Sequence, residues 1–211
     1  MTSNTPLSQI APSHPQQIKW NNIYRNKILN TNNHADNTPQ ACSLLAQHSY
    51  LLPDKGQALD LACGQGGNAI LMANHGLTVN AWDISDVVID QLNAQNITNL
   101  QANTVDIEKI APPQSTFDVI IVSCYLHRPL CPALINALKP GGLLFYQTFH
   151  QNKLSGNGPS NKKYLLENNE LLELFSDLTP LFYQQFGQQG DLNIGERNLA
   201  SFIGEKSRRN I

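Results

Sequence analysis

Short apolar runs alternate along this chain with stretches whose apolar residues recur at helical spacing. The runs predict strands near Gln57–Ala62, Thr78–Trp82, Leu100–Thr104, Phe117–Cys124 and Gly142–Thr148. The stretches between them predict helices near Gly66–His75, Asp86–Gln95 and Pro129–Leu138. Strand and helix in regular succession imply a parallel sheet covered on both faces. Phe117–Val122 is almost continuously apolar, as a central parallel strand should be. After Thr148 the alternation stops. A loop, 149–163, holding Gly156, Gly158 and Pro159 leads into a short helix at Glu167–Phe175. Two further apolar runs, Leu178–Phe186 and Leu199–Ile203, are joined by a glycine-rich polar turn and predict a closing antiparallel hairpin. The expected fold class is therefore α/β: a Rossmann-like, seven-stranded, mostly parallel sheet with helices on both faces and a C-terminal antiparallel hairpin.

The N-terminal part reads differently. Met1–Gln17, rich in Ser, Pro, Gln and Asn, can bury little apolar surface and is expected to be a disordered tail. Trp20, Ile23 and Tyr24 at helical spacing start the packed region, and Asn30–Asn37 reads as a polar loop. Thr38 and Pro39 supply an N-cap and a first-turn proline for a helix running to about Tyr50. One domain over 18–206, followed by a tail at 207–211, is the expected organisation.

Composition narrows the function. A chain of 211 residues suits one α/β domain with a proper core. Charged residues make up only 14%, well below the usual fraction of about 25%, and Asn and Gln supply the missing polarity. A net charge of -2 gives no general field for a polyanion, so nucleic acid is not an expected partner. Met1–Gln17 lacks the basic start and apolar run of a secretory signal, and no segment approaches the roughly 20 apolar residues of a membrane span. A soluble, cytoplasmic protein is expected, with no membrane partner. The four cysteines, Cys42, Cys63, Cys124 and Cys131, form no C-x-x-C pair and no zinc spacing, so no metal site is expected. Cys63 and Cys124, at strand ends, read as reduced, buried thiols.

Ala58–Asp83 is the most informative stretch. It holds an acid at a strand end, Asp60, a glycine turn at Gly64, Gly66 and Gly67, and a second strand-end acid, Asp83. Gly64–Ala69 also fits the dinucleotide fingerprint G-x-G-x-x-A, with Asp83 roughly 20 residues on. Asp60 separates the two readings. A pyrophosphate at the following helix N-terminus would face its carboxylate, whereas the ammonium and sulfonium of S-adenosylmethionine would be drawn to it. Asp83 can then accept from both ribose hydroxyls.

With these residues assembled, the chain resembles the class I S-adenosylmethionine-dependent methyltransferases, and within them the bacterial tellurite-resistance (TehB-like) enzymes. The resemblance covers about Trp20 to Lys206. It rests on L-D-L-A-C-G-Q-G-G-N at Leu59–Asn68, A-W-D-I-S at Ala81–Ser85, Val105-Asp106-Ile107, and the turn Lys139-Pro140-Gly141-Gly142 before the fifth strand. It implies S-adenosylmethionine as cofactor, bound by Asp60, Gly64, Gly66, Asn68 and Ser123. Asp83 would hold the ribose, Ile84 would flank the adenine, and in the cofactor-binding segment Asp106-Ile107 the acid would accept from the adenine exocyclic amine. Trp20 and Tyr24 would be an aromatic pair packed over the site.

The acceptor should lie outside the strand carboxyl ends. Ser123–Arg128, S-C-Y-L-H-R, leaves the fourth strand there and lacks the N/D-P-P-Y/F element of amino-group methyltransferases, which disfavours exocyclic amines. Arg128 precedes Pro129 at a helix start, where cation and helix dipole together would hold an anion. Arg128, with His127, is thus the candidate acceptor site for an oxyanion or carboxylate. A small-molecule acceptor is expected, an oxyanion such as tellurite or a thiol metabolite. Tellurite follows from the resemblance alone. His150 and the Gly/Pro loop after it could form a lid over the acceptor, and for Cys124 core packing is expected over a role as a soft ligand. An NAD-dependent oxidoreductase and a cofactor-binding protein without turnover are the competing classes.

Overall fold

The computed structural model describes residues 14–31 and 39–208. Seven strands form one sheet: β1 (Gln57–Leu61), β2 (Thr78–Asp83), β3 (Leu100–Thr104), β4 (Phe117–Ser123), β5 (Leu138–Phe149), β6 (Leu178–Gln184) and β7 (Leu199–Lys206). Their order is β3-β2-β1-β4-β5-β7-β6. The first five pair in parallel, and β7 enters antiparallel between β5 and β6. The expected sheet and closing hairpin are both present. Strand order reverses between β1 and β4, the position where open α/β sheets leave a crevice at their carboxyl edge.

Six helices accompany the sheet among the described residues: α1 (Pro15–Thr31), α2 (Ser43–Gln47), α3 (Gly67–His75), α4 (Asp86–Ala94), α5 (Cys131–Ala137) and α6 (Glu170–Leu174). Because strand side chains alternate between faces, the sheet builds two cores. Ala58, Val79, Ala81, Val119, Ile121, Phe145 and Ile203 pack against Leu44 and Leu45 of α2, Met72 of α3 and Leu92 of α4. Leu59, Leu61, Ile120, Val122, Leu144, Tyr146 and Phe202 pack on the other face against Leu134 of α5, Leu171 of α6 and Phe175.

Several boundaries differ from the expectation. The tail expected at 1–17 is helical from Pro15 onward, and residues 1–13 lie outside the described residues. The packed face of α1 is not Trp20, which is 36% exposed, but Gln17 and Asn21, both buried. The helix lies over polar strand ends rather than over an apolar core, so its inward stripe is polar. It continues to Thr31 into the stretch expected as loop, and residues 32–38 are outside the described set. Thr38 therefore cannot be placed as a cap, and α2 begins only at Ser43, after Pro39. The expected turn at Lys139–Gly142 is a bulge inside β5. Leu138 pairs with Phe117 and Leu143 with Val119, and Gly141 supplies a positive φ of 80° between them.

Candidate active site

On the face that carries α2, α3 and α4, the apolar rows of the strands end in polar residues at the carboxyl edge. Asp60 follows Ala58 on β1, Asp83 follows Ala81 on β2, and Ser123 follows Ile121 on β4. Gln147 follows Phe145 on β5, and Ser201 precedes Ile203 on the antiparallel β7. Two adjoining pockets result.

The first lies at β1, β2 and β4. The chain leaves β1 with Ala62 and Gly64 at positive φ, 56° and 53°, and enters α3 through Gly66 at φ 85°. A Cβ on Gly67 would stand 2.1 Å from the Gln40 carbonyl, so only glycine lets the segment before α2 cross the start of α3. Asp60 is fully buried. Its Oδ2 accepts the Ala69 N–H at 3.0 Å, while its buried Oδ1 has no partner among the described residues. Burial pushes this carboxyl up to about 7, against the opposing effect of hydrogen bonds from Ala69 and Asn68, and Asp83 raises it further. Asp83 is held by backbone donors, Gly64 N–H to Oδ2 and Ser85 N–H to Oδ1, both at 2.9 Å. Each of its oxygens retains a lone pair for a further donor. Burial raises the Asp83 carboxyl as well.

Asn68 joins this pocket to its surroundings. Its Oδ1 accepts from the Cys42 N–H at 2.8 Å and its Nδ2 donates to Ser123 Oγ at 3.2 Å. Helix α1 roofs the crevice from end to end. His14 Nε2 stands 3.5 Å from Asp106, Ser85 Oγ donates to Asn21 Oδ1 at 2.6 Å, and a Cβ on Gly64 would lie 3.0 Å from the Tyr24 hydroxyl. Burial, with Asp83 nearby, pushes the Tyr24 phenol far up, so it stays protonated. Trp20 packs on Tyr24 with ring centroids 5.9 Å apart. Asp106 is buried, accepts from the Glu108 N–H at 3.2 Å, and pairs with Lys109 at 3.0 Å. Ile107 is buried next to it, and Ile84, half-buried, follows Asp83.

The second pocket, a cavity of about 300 Å³, is lined by α2, β5, β6, β7 and the loop between the last two, with Ser43, His48, Gln147, Phe182, Glu196 and Ser201 among its walls. Its floor is a row in register across three strands, Gln147 beside Ser201 and Ser201 beside Gln184, and Ser123 on β4 continues the row beyond the cavity, next to Gln147. Gln147 Nε2 donates to Ser43 Oγ at 3.1 Å and to Ser201 Oγ at 2.9 Å. Among the described residues no Lys or Arg lines this cavity. The loop at its rim is built on Arg197, whose guanidinium donates to the carbonyls of Gln189, Asp191 and Ile194 and so fixes the neighbouring Glu196. None of Ser43, His48, Gln147, Arg197 or Ser201 was expected. The available signal was a polar residue inside an apolar strand run, as at Gln147.

Arg128 and His127 do not join either pocket. Arg128 Nε and Nη2 grip the Glu170 carboxylate at 2.5 and 2.9 Å, and the remaining contacts go to the Lys163 and Leu165 carbonyls at 2.7 and 3.0 Å. Glu170 matches its charge and four of its five N–H bonds are engaged, which weighs against the open anion site expected at this helix start. The polar cavity of about 600 Å³ beside it, with Arg128, Lys162 and Lys163 facing Glu167, Glu170 and Glu173, carries balanced charge. His127 instead turns toward the segment after β3, with Nδ1 3.7 Å from Glu108. Cys124 corrects another expectation. It is exposed, because its φ of 55° turns the chain out of the sheet while its N–H donates to the Gln147 carbonyl at 2.8 Å. His150, expected as part of a lid, is fully buried. Its Nδ1 accepts from the Asn152 N–H, so Nε2 donates to the Arg197 carbonyl at 3.1 Å. Among the described residues no cluster of His, Cys, Asp and Glu is placed to hold a metal, and no helix is long and apolar enough to cross a membrane.

Residues 34–187 match the family described as a methyltransferase domain. The chain belongs to that family. The ubiquinone biosynthesis O-methyltransferase of Coxiella burnetii is 34% identical over 105 residues, covering 44% of this chain and 44% of that protein. YqeM of Bacillus subtilis, which carries a methyltransferase name, is 29% identical over 118 residues, covering 49% of this chain and 47% of its own. The matches thus span about half the length of these curated relatives. TehB of Haemophilus influenzae shares the fold with a TM-score of 0.62 at 21% identity, over 84% of this chain and 65% of that one. A TehB-like S-adenosylmethionine-dependent methyltransferase of Corynebacterium glutamicum superposes with a TM-score of 0.64 at 14% identity, over 90% of this chain and 100% of its own. The fold is that of the S-adenosylmethionine-dependent methyltransferases.

Proposed function

We propose that this methyltransferase domain uses S-adenosylmethionine to methylate a small, uncharged acceptor that carries a protonated thiol or hydroxyl. The cofactor suits the first pocket because Asp60 presents a buried oxygen with no partner, which favours a cationic donor and repels a diphosphate. When bound, S-adenosylmethionine supplies a methyl group activated on sulfonium. The chain's residues supply the rest: Asp60 and Asp83 hold charge and ribose, Gly64 and Gly66 allow close approach, and Asn68 with Ser123 fixes the boundary toward the second pocket. Asp106, Ile84 and Ile107 would take the adenine, and Tyr24 on α1 closes the roof over the crevice. Alignment of nucleophile and methyl with water excluded is worth about 7–11 kcal/mol of barrier in such reactions.

The acceptor class rests on one observation, the neutral row Gln147–Ser201–Gln184 on the floor of a cavity that, among the described residues, no Lys or Arg lines. Among the described residues an oxyanion such as tellurite would meet no cation lining the cavity and would face Glu196, since the guanidinium of Arg197 behind Phe186 is turned to the carbonyls of its own loop. Of the two side chains that favoured an oxyanion, Arg128 is held by Glu170 and His127 stands toward Glu108. A thiol or hydroxyl finds amide and hydroxyl partners instead.

Calorimetry with S-adenosylhomocysteine and with NAD tests the cofactor half, with binding of the nucleoside and none of NAD as the expected outcome. Transfer of labelled methyl to small thiols and phenols, set against tellurite and selenite, tests the acceptor half. Faster turnover of either oxyanion refutes the acceptor class, and binding of the nucleoside without transfer to any of these compounds makes the chain a cofactor-binding protein.

A further inference from the structure

An acceptor that arrives protonated needs a base, and the second pocket contains one side chain arranged for that task. His48 follows α2, its ring half-buried against Phe182 with centroids 4.4 Å apart and beside Tyr50 at 5.9 Å. Its Nδ1 lies 3.0 Å from the Leu44 carbonyl. A carbonyl can only accept, so Nδ1 carries the hydrogen and the basic lone pair of the neutral ring is on Nε2. No partner for Nε2 is found among the described residues, while the imidazole lines the cavity whose floor is Gln147 and Ser201. Leu44, which fixes the tautomer, is buried, and Ser43 beside it bonds Gln147. The same short helix therefore holds both the base and one wall of the acceptor floor.

We propose that His48 is the general base of acceptor methylation, a role that rests on the protonated-acceptor reading above. The acceptor's S–H or O–H proton passes to His48 Nε2 as the acceptor atom bonds to the methyl carbon. The carbon–sulfur bond of the sulfonium breaks with its electron pair staying on sulfur, and the imidazolium returns its proton to water at the open side of the cavity. The other titratable groups facing the ring are Glu196 across the cavity and Tyr50 behind it. Glu196 is the weaker candidate, since its Oε1 is engaged by the Asn198 N–H at 2.9 Å.

Two probes separate a base from a mere wall. 4-Nitrothiophenol is ionised at neutral pH and needs no base, whereas benzyl mercaptan arrives protonated. His48→Gln should slow methylation of benzyl mercaptan by about a hundredfold or more, the usual range for loss of a general base, and leave 4-nitrothiophenol within about threefold. The binding of S-adenosylhomocysteine to the variant, measured by calorimetry, should be unchanged. A long-range proton–nitrogen correlation spectrum of the wild-type protein should show the Nδ1–H tautomer for His48 in the absence of any acceptor. Equal losses on both thiols, or an Nε2–H tautomer, overturn the base and leave the acceptor class standing. If wild-type protein methylates neither thiol, the acceptor class itself fails and the base with it.

Discussion

The two pockets at the carboxyl edge are built by opposite strategies. The proposed cofactor crevice concentrates ionisable groups, Asp60 and Asp83, within one strand–turn–helix–strand unit, and burial raises both carboxyls. The proposed acceptor pocket assembles neutral groups, Ser43, Gln147 and Ser201, from parts of the chain far apart in sequence, and joins them by hydrogen bonds. Charge is useful where the ligand is a fixed cation, because a desolvated carboxylate attracts it strongly. On the floor of the acceptor pocket it is a liability, because a carboxylate there would disfavour the developing anion and an ammonium would compete for the same partners; Glu196, the carboxylate of this pocket, stands in its wall with Oε1 engaged by the Asn198 N–H. Asn68 stands between them, touching Cys42 on one side and Ser123 on the other.

The largest expected effects come from striking each pocket separately. Asp83→Ala removes the proposed acceptor for the ribose hydroxyls and strands the Gly64 and Ser85 N–H groups. Hydrogen bonds to a charged group contribute about 1.5–3 kcal/mol each, so affinity for S-adenosylhomocysteine should fall by about a hundredfold or more. Gln147→Leu should do the reverse, raising the acceptor KM by about tenfold while cofactor affinity stays within about twofold. Calorimetry and steady-state kinetics on the two variants give a crossed pattern if the pockets are independent. A Gln147 variant that weakens the cofactor as much as the acceptor would merge them into one.

A subtler effect concerns the proton on Asp60. Its carboxyl is raised from the ordinary value of about 4 to about 7 by burial, so near pH 6 the free native state holds a proton that the unfolded chain has lost. Stability from this group is accordingly present below pH about 4 and lost as pH rises through about 7. A bound ammonium stabilises the carboxylate and expels the proton. Binding of S-adenosylmethionine at pH 6 should release up to about one proton, seen as a dependence of calorimetric enthalpy on the ionisation enthalpy of the buffer. The dependence should fade above pH about 8 and vanish in Asp60→Asn. A buffer-independent enthalpy at pH 6 would mean that Asp60 does not face the cation.

The same contrast explains what could be read before the structure. Strand positions followed from local periodicity, and Asp60, Gly64, Gly66 and Asp83 could be grouped because one supersecondary unit carries them all. Asn68 and Ser123, expected near the cofactor, meet at 3.2 Å. The acceptor pocket had no such local spacing, since Ser43 and Gln147 stand 104 residues apart. Helix α1 misled for a physical reason: apolar spacing marks the side of a helix that meets a core, and this helix covers a polar crevice with Gln17 and Asn21 instead. Cys124 misled because a strand-end residue at positive φ turns outward, which no pattern of residue types announces.

Arg128 carries the smallest effect, because its ion pair with Glu170 favours a part in the frame over the acceptor role expected from the sequence. A cation at a helix start is visible in the sequence, whereas its partner Glu170 comes 42 residues later. The pair ties the turn before α5 to the segment leading into α6, on the sheet face opposite Asp60 and Gln147. The guanidinium side chain is 34% exposed, so solvent screening limits its worth. Arg128→Ala should cost about 1 kcal/mol of stability, a fall in Tm of about 2–4 °C for a chain of this size, with acceptor KM and cofactor affinity unchanged. Arg128→Lys should recover only part of that loss, because an ammonium cannot make the two-pronged contact with Glu170. A thermal melt beside the kinetics decides the matter. If KM for the acceptor rises while Tm holds, Arg128 belongs to the acceptor after all, and the neutral row of β5, β7 and β6 is only packing.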